Sequence, residues 1–482
     1  MFDLRPVGYV IGLLVALLGA AMALPMLIDL AAGDAHWLVF LEAGLITILI
    51  GGLTALTCAN GVGEGLTIQQ TFLLTTGVWV ALPIFGALPL MFGVPHLSFT
   101  DAFFEAMSGL TTTGSTVISG LEALPPGILM WRGILQWLGG IGIIVVAMVF
   151  LPELRVGGMQ IFRSEGFDTM GKILPRATEI SSRISVIYIG LTMACALAYS
   201  ATGLSPFDAT VHAMTTVATG GFANYDDSFG VFGAGAMYVC VIFMALAALP
   251  FVRFVQLSAG HAQPLLRDSQ IRGFFATLIA LVLLLTLWQV ARSPESGEEA
   301  FRHTLFNTTS LLTGTGYAST DYMAWGGFPI AVLFFTGLIG GCAGSTACSI
   351  KIFRYQLLFA SIRVQLQRIR SPHGVFTPRY EGRAVGPDVL SSVMSFFVFF
   401  TVTLGITSWA LAMTGLDLTT SVSGAAAALA NIGPGLGEII GPAGNFGTLG
   451  PTAKWILAIA MLIGRLELLA VYAILTIGFW RA

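Results

Sequence analysis

The sequence predicts an all-α polytopic membrane protein, with two N-terminal transmembrane helices followed by four pseudo-symmetric helix–pore-loop–helix units around a central pore. Three observations carry that prediction. Of 482 residues, 56% are hydrophobic and only 10% charged, whereas a soluble protein carries about a quarter charged. Apolar stretches such as 10–30, 38–56, 184–201 and 274–290 approach or reach the ~20 residues that cross hydrocarbon. A short Thr/Gly-rich motif also recurs between long apolar segments.

The N-terminus runs straight into an apolar stretch with no small-residue cleavage site, which predicts a retained helix rather than a signal peptide. Helices are expected near 8–31 and 37–58. Beyond them, stretches 99–114 and 206–221 align without gaps. The pairs Asp101/Asp208, Ala106/Ala213, Met107/Met214 and Gly114/Gly221 share one offset of 107 residues. Weaker copies follow around Thr313–Gly316 and Ile432–Gly435. Each copy lies between two long apolar segments, so the chain divides into 1–62 (two extra helices) and four units at 63–155, 156–262, 263–385 and 386–482.

The segment before each loop reads as a half-helix of about three turns. Asp101 and Asp208 suit the positive helix start, with Ser205 as a cap and Pro206 in the first turn. The carbonyl end then points at the loop. The loops line up as Thr111, Thr112, Thr113, Gly114; Ala218, Thr219, Gly220, Gly221; Thr313, Gly314, Thr315, Gly316; and Ile432, Gly433, Pro434, Gly435. Irregular backbone inside a bilayer is tolerated where it lines a cavity. Four such loops around one axis can replace a cation's hydration shell with carbonyls, and glycine permits the required backbone angles.

Basic residues set the expected orientation. Arg155, Arg163, Lys172, Arg176 and Arg183 crowd one connection, Arg253, Arg267 and Arg272 a second, and Arg354, Arg363, Arg368, Arg370, Arg379 and Arg383 a third. These alternate with the loops and should be cytoplasmic. The opposite side carries Asp101, Glu105, Glu122, Asp208, Asp226, Asp227, Glu295, Glu298, Glu299, Asp321, Asp417 and Glu438, an acidic mouth that concentrates cations. The five cysteines form no C-x-x-C pair, so neither a disulfide framework nor a zinc site is indicated.

The four loops, together with residues 340–351 and the Gly464–Leu468 stretch, resemble the Trk/Ktr/HKT superfamily of potassium transporters, nearest its bacterial Trk membrane-subunit branch. The resemblance covers essentially the whole chain, including the two extra helices. It implies four units in pseudo-fourfold arrangement, a homodimer in the bacterial cytoplasmic (inner) membrane, and K+ as the transported ion at the loop residues. The mouth of the filter would face the periplasm. Filter glycines would be Gly114, Gly221, Gly316 and Gly435, and glycine rather than serine at 114 goes with preference for potassium. The resemblance also implies a cytosolic Trk-A-type regulatory partner that binds NAD(H), ATP or ADP. No cofactor bound by this chain and no nucleic-acid partner are expected.

Residues 337–351 interrupt an apolar segment with Gly340, Gly341, Gly344, Ser345, Thr346 and finally Lys351. Such residues weaken helix and offer local hydrogen-bonding alternatives. The expected role is an intramembrane gate beneath the filter. Arg465 stands within the last apolar helix, where an ionisable residue is costly and marks function; the resemblance places it facing the pore. Glu467, two residues on, should face elsewhere. An intramembrane hydrolase is disfavoured, since His212 and Ser345 belong to no nucleophile–base–acid arrangement. The stretch 433–444 superficially resembles a dinucleotide loop, but it follows no strand. A sodium or mixed monovalent-cation transporter of the same fold is the closer alternative.

Overall fold

The structure, a computed structural model, describes residues 3–61, 66–146, 159, 177–292 and 297–481. The expected unit boundaries at 62/63 and 155/156 lie outside these residues, as do Arg155, Arg163, Lys172, Arg176 and Glu295.

Two N-terminal spans come first: α1 (Arg5–Ala21) continuing into α2 (Ala23–Ala32), then α3 (Trp37–Cys58). Small residues let α1 and α3 approach closely, as they do between membrane helices. A Cβ on Gly12 would lie 2.6 Å from the Ala55 nitrogen, and one on Gly51 2.5 Å from that of Ala16.

Each following unit is a long helix, a half-helix, a loop and a second helix, which is shorter or interrupted in the third and fourth units. The first has α4 (Ile68–Gly86), half-helix α5 (Phe99–Leu110) and α6 (Pro126–Val145). The second has α7 (Ala177–Ala201), half-helix α8 (Pro206–Val217), and α9 (Ala234–Ala247) bent 90° into α10 (Phe251–Ser258). The third has α11 (Ser269–Arg292), half-helix α12 (Gly297–Thr313), α13 (Gly327–Leu338) and, after a non-helical stretch, α14 (Ile352–Arg370). A small hairpin pairing Arg379 with Ala384 leads to the fourth unit, α15 (Pro387–Ala412), half-helix α16 (Leu418–Ala430) and α17 (Pro451–Arg465). Among the described residues, seven helices are long and apolar enough to span a membrane, or eight if the bent pair is one span.

Half-helix starts follow one rule. Ser98 and Ser205 accept from the backbone N–H groups of Asp101 and Asp208, and Asp417 accepts from that of Thr420; each satisfies a donor that the first turn leaves open. The third half-helix is longer than expected, at 17 residues.

Burial distinguishes α6. In its apolar window 72% of the residues are buried, against 22–44% in the other spans. This helix lies inside the molecule, against half-helices from two units.

Candidate functional site

All four half-helices end in the same cap. Thr112, Thr219, Gly314 and Asn431 take left-handed backbone, with φ of 52°, 49°, 73° and 50°. The N–H of each bonds three residues back: to Gly109 at 2.9 Å, Thr216 at 3.0 Å, Leu311 at 3.1 Å and Ala428 at 3.3 Å. The next N–H reaches five back, from Thr113 to Ser108, Gly220 to Thr215, Thr315 to Ser310 and Ile432 to Ala427, at 2.8–3.0 Å. This is the Schellman motif, and it puts the four loops in one register. Left-handed backbone is costly for a β-branched residue, so the surrounding structure holds Thr112 and Thr219 in place.

In that register Gly114, Gly221, Gly316 and Gly433 are equivalent, all with positive φ (88°, 77°, 85° and 100°). Each abuts the carbonyl just before the corresponding glycine of a neighbouring loop. A Cβ on Gly114 would strike Gly220 O, one on Gly221 Thr315 O, and one on Gly316 Ile432 O; one on Gly433 would lie 2.9 Å from Thr113 O. The contacts run from loop one to two, three, four and back to one. The loops therefore form a closed ring. Side chains clip it further: Ser115 Oγ donates to Gly433 O at 2.8 Å, Asn431 Nδ2 to Thr113 Oγ1 at 2.9 Å, and the Thr215 and Tyr317 hydroxyls bond to each other.

The fourth loop corrects the expected register. Gly433, not Gly435, is the equivalent of Gly114. Gly435 has no positive φ; its N–H bonds to Ile440 O at 2.7 Å, and it faces the Ile440 side chain away from the ring. Counting from the Thr/Gly pattern missed this because the loop carries glycine at both positions. The usable signal was Asn431, a residue type that favours the left-handed cap.

The Thr113, Thr315 and Ile432 carbonyls accept no hydrogen bond from a described residue, although all three residues are buried. Above the glycines lies a cavity of about 170 Å³, lined by Gly114, Gly221, Gly316 and Gly433 together. A ring of buried acceptors opening on a cavity suits a dehydrated cation.

Charge around the cavity differs from the expected acidic mouth. Glu105 is fully buried, and Arg132 Nε donates to it at 2.9 Å. The same guanidinium donates to Ala223 O at 2.8 Å and covers the Phe222 ring at 4.2 Å. Asp101 is paired with Lys454. Both carboxylates are therefore ion-paired within the protein, and Glu105 also accepts from Thr116 Oγ1 at 2.9 Å and Val117 N–H at 2.9 Å just after the first loop. Asp226 caps Gly120 and Leu121 through their N–H groups at 2.7 and 3.1 Å. Arg132 and Gln136 were not singled out in the sequence, because one polar residue per turn of an apolar helix carries no local pattern. His212 is buried among Phe229, Phe232, Tyr225 and Tyr317, with its Nδ1 at Asp208 O, as a half-helix packing residue.

Beneath the ring, residues 339–351 form a buried strap instead of helix. Gly340 N–H bonds to Ile350 O at 2.8 Å, Cys342 N–H to Ala248 O at 3.0 Å, Thr346 Oγ1 to Ala247 O at 3.0 Å, and Ser349 N–H to Ala430 O at 3.0 Å. Phe251 N–H bonds to Gly344 O at 2.9 Å, Ser345 Oγ to Cys342 O at 2.7 Å, and Gly341 packs on Ala248. The strap is thus tied at the bend of the second unit and at the end of the fourth half-helix. Cys348 Sγ lies 3.8 Å from Thr112 Oγ1, and its Cβ would be 3.4 Å from a Cβ on Gly314. Thr112 and Gly314 belong to opposite loops, so Cys348 sits across the underside of the ring.

Arg465 is buried, donating Nη1 to Cys348 Sγ and Nη2 to Gly139 O at 3.2 Å. The structure differs from the expected continuous helix: α17 ends at Arg465, and Glu467 and Leu468 have positive φ. Glu467 pairs with Arg354, which is therefore buried rather than part of an exposed basic surface. Lys351 Nζ turns back onto Ala347 O within the strap.

A family model described as cation transport protein (TrkH) matches residues 36–477. The chain is 42% identical to the Trk system potassium uptake protein TrkI of Halomonas elongata, covering 99% of this chain and 97% of that protein. It is 36% identical to the Trk system potassium uptake protein TrkH of Escherichia coli (strain K12), over 99% of each. The crystal structure of the potassium transporter TrkH from Vibrio parahaemolyticus superposes with a TM-score of 0.92 at 34% identity, over the whole of both chains. With its helix–loop–helix repeats, closed loop ring and interrupted third unit, this chain belongs to the TrkH family of cation transport proteins.

Proposed function

We propose that the chain carries potassium inward across the bacterial cytoplasmic membrane, with the four-loop ring as its selectivity filter. The observation that supports this reading is the closed cycle of glycine–carbonyl contacts, whose Thr113, Thr315 and Ile432 oxygens are buried without a donor. An ion shedding water would supply the missing partner. The four half-helix carbonyl ends add negative potential at the same place, and a membrane potential contributes ~2.3 kcal/mol per charge per 100 mV. The strap at 339–351 with Lys351 and Arg465 is the gate in this reading. The ring's mouth faces the periplasm, two copies form the homodimer, and a cytosolic Trk-A-type, nucleotide-binding ring docks on the basic connections.

Uptake into proteoliposomes, with potassium, rubidium and sodium in competition, tests the proposal. The native chain should prefer potassium and rubidium. In Gly114→Ser the new side chain meets Gly220 O at a φ of 88°, so that carbonyl must leave its place in the ring and the preference for potassium over sodium should fall. An unchanged ion preference in that variant would overturn the filter assignment.

A further inference from the structure

Gln136 lies on α6 in the first unit, yet both ends of its side-chain amide serve the second unit's loop. Oε1 accepts from Phe222 N–H at 3.0 Å, and Nε2 donates to Gly220 O at 2.5 Å. The orientation follows from chemistry: a peptide N–H only donates, so the amide oxygen faces Phe222 and the nitrogen is left for the carbonyl. The amide therefore grips Gly221 from both sides, in a fully buried position.

Neighbouring turns of the same helix face continue the contact. Arg132, four residues before, donates to Ala223 O at 2.8 Å. Gly140, four residues after, approaches so closely that its Cβ would be 3.0 Å from Ala218 Cα. Positions four apart share a helix face, so one stripe of α6 follows loop two from Ala218 to Ala223. The ring is consequently not fourfold. Of its four equivalent carbonyls, Thr113, Thr315 and Ile432 take no hydrogen bond from the described residues, while Gly220 takes one from Gln136.

We propose that Gln136 is a positioning residue that sets ion discrimination, by holding the Gly220 carbonyl at a fixed distance from the ring's axis. A carbonyl oxygen has two lone pairs, so the bond to Gln136 leaves one for an ion. A smaller ion such as sodium is bound best when oxygens move inward; a tethered oxygen resists that move. The inference rests on the reading of the ring as the ion site.

Two variants of equal side-chain length test it in the full chain reconstituted in proteoliposomes. Gln136→Glu sets carboxylate oxygen against Gly220 O, and Gln136→Met removes both bonds. Both should lower the preference for potassium over sodium about tenfold, the factor that one hydrogen bond commands, and raise the potassium KM. Trp137→Phe, which removes the neighbouring bond to Thr192, is the control for structural damage and should leave the ion ratio unchanged. If the native chain discriminates and both Gln136 variants still do, the inference is overturned while the filter reading stands. If neither variant can be isolated folded, Gln136 is a fold determinant and the inference also falls. A native chain without ion preference would instead remove the filter reading itself.

Discussion

Arg465 and Cys348, 117 residues apart in the chain, meet directly beneath the ring, the guanidinium donating to the sulfur. Cys348 reaches toward loops one and three, and Arg465 also holds Gly139 O at 3.2 Å on α6. Its Nε has no partner among the described residues. A buried cation thus faces the underside of an acceptor ring, tied to the strap on one side and to α6 on the other.

Removing that charge should open a path. At an effective dielectric near 20, a fixed positive charge a few ångströms from a passing cation costs it on the order of 3 kcal/mol. Arg465→Gln is therefore expected to raise potassium flux through the chain alone by at least about tenfold. Proteoliposome efflux without any added cytosolic protein measures this. A flux equal to that of the native chain would show that Arg465 acts as a structural tie only.

The fourth-loop register separates two neighbouring glycines. Gly433→Ala forces a side chain onto left-handed backbone, 2.9 Å from Thr113 O. It is expected to cost about 1–3 kcal/mol and to abolish discrimination between potassium and sodium. Gly435→Ala meets the Ile440 and Ser423 side chains rather than a ring carbonyl and should keep the ion preference. Competition uptake on both variants decides it, and a reversed order would restore Gly435 to the ring.

Glu105 and Arg132 form a buried pair across the mouth of the first two loops. Breaking such a pair leaves an uncompensated charge and costs about 3–5 kcal/mol. Glu105→Gln should lower the thermal midpoint in detergent sharply. The double variant Glu105→Gln with Arg132→Met should recover part of that loss, which a double-mutant cycle quantifies.

Asp417 caps the fourth half-helix, and its hydrogen bonds to the Thr420 side chain and backbone hold its carboxyl below the ordinary value of 3.8. A depressed carboxylate pKa contributes stability above the unfolded value and loses it as pH falls through the folded one. The cap should therefore weaken below about pH 4, while Asp417→Asn, which keeps an accepting oxygen, should not show that loss. Thermal midpoints of both proteins from pH 7 to pH 3 measure the difference.

Much of this arrangement was legible locally. Span lengths follow from apolar runs, and Ser205, Asp101 and Asp208 marked half-helix starts because capping involves residues three apart. The break, expected at 337–351 and found at 339–351, showed in its glycines and hydroxyls. The first three loops were read in register from their Thr/Gly pattern. The fourth was misread by two positions, since Gly433 and Gly435 look alike until one of them touches Thr113 O, some 320 residues away. The roles of Glu105 and Arg354 were misread for a similar reason: a charge on a sequence carries no mark of the partner that will bury it.

What the chain determines by itself is where the long apolar helices lie, the four half-helices and the residues able to bend backbone at their ends, because hydrophobic length, caps and φ preferences act within a few residues. Only the tertiary structure decides which carbonyls remain unpaired, that Gln136 holds one of four, and that Arg465 lies under the opening. Those outcomes depend on buried polar groups finding partners on other units, and a buried polar group without a partner is too costly to leave to local sequence.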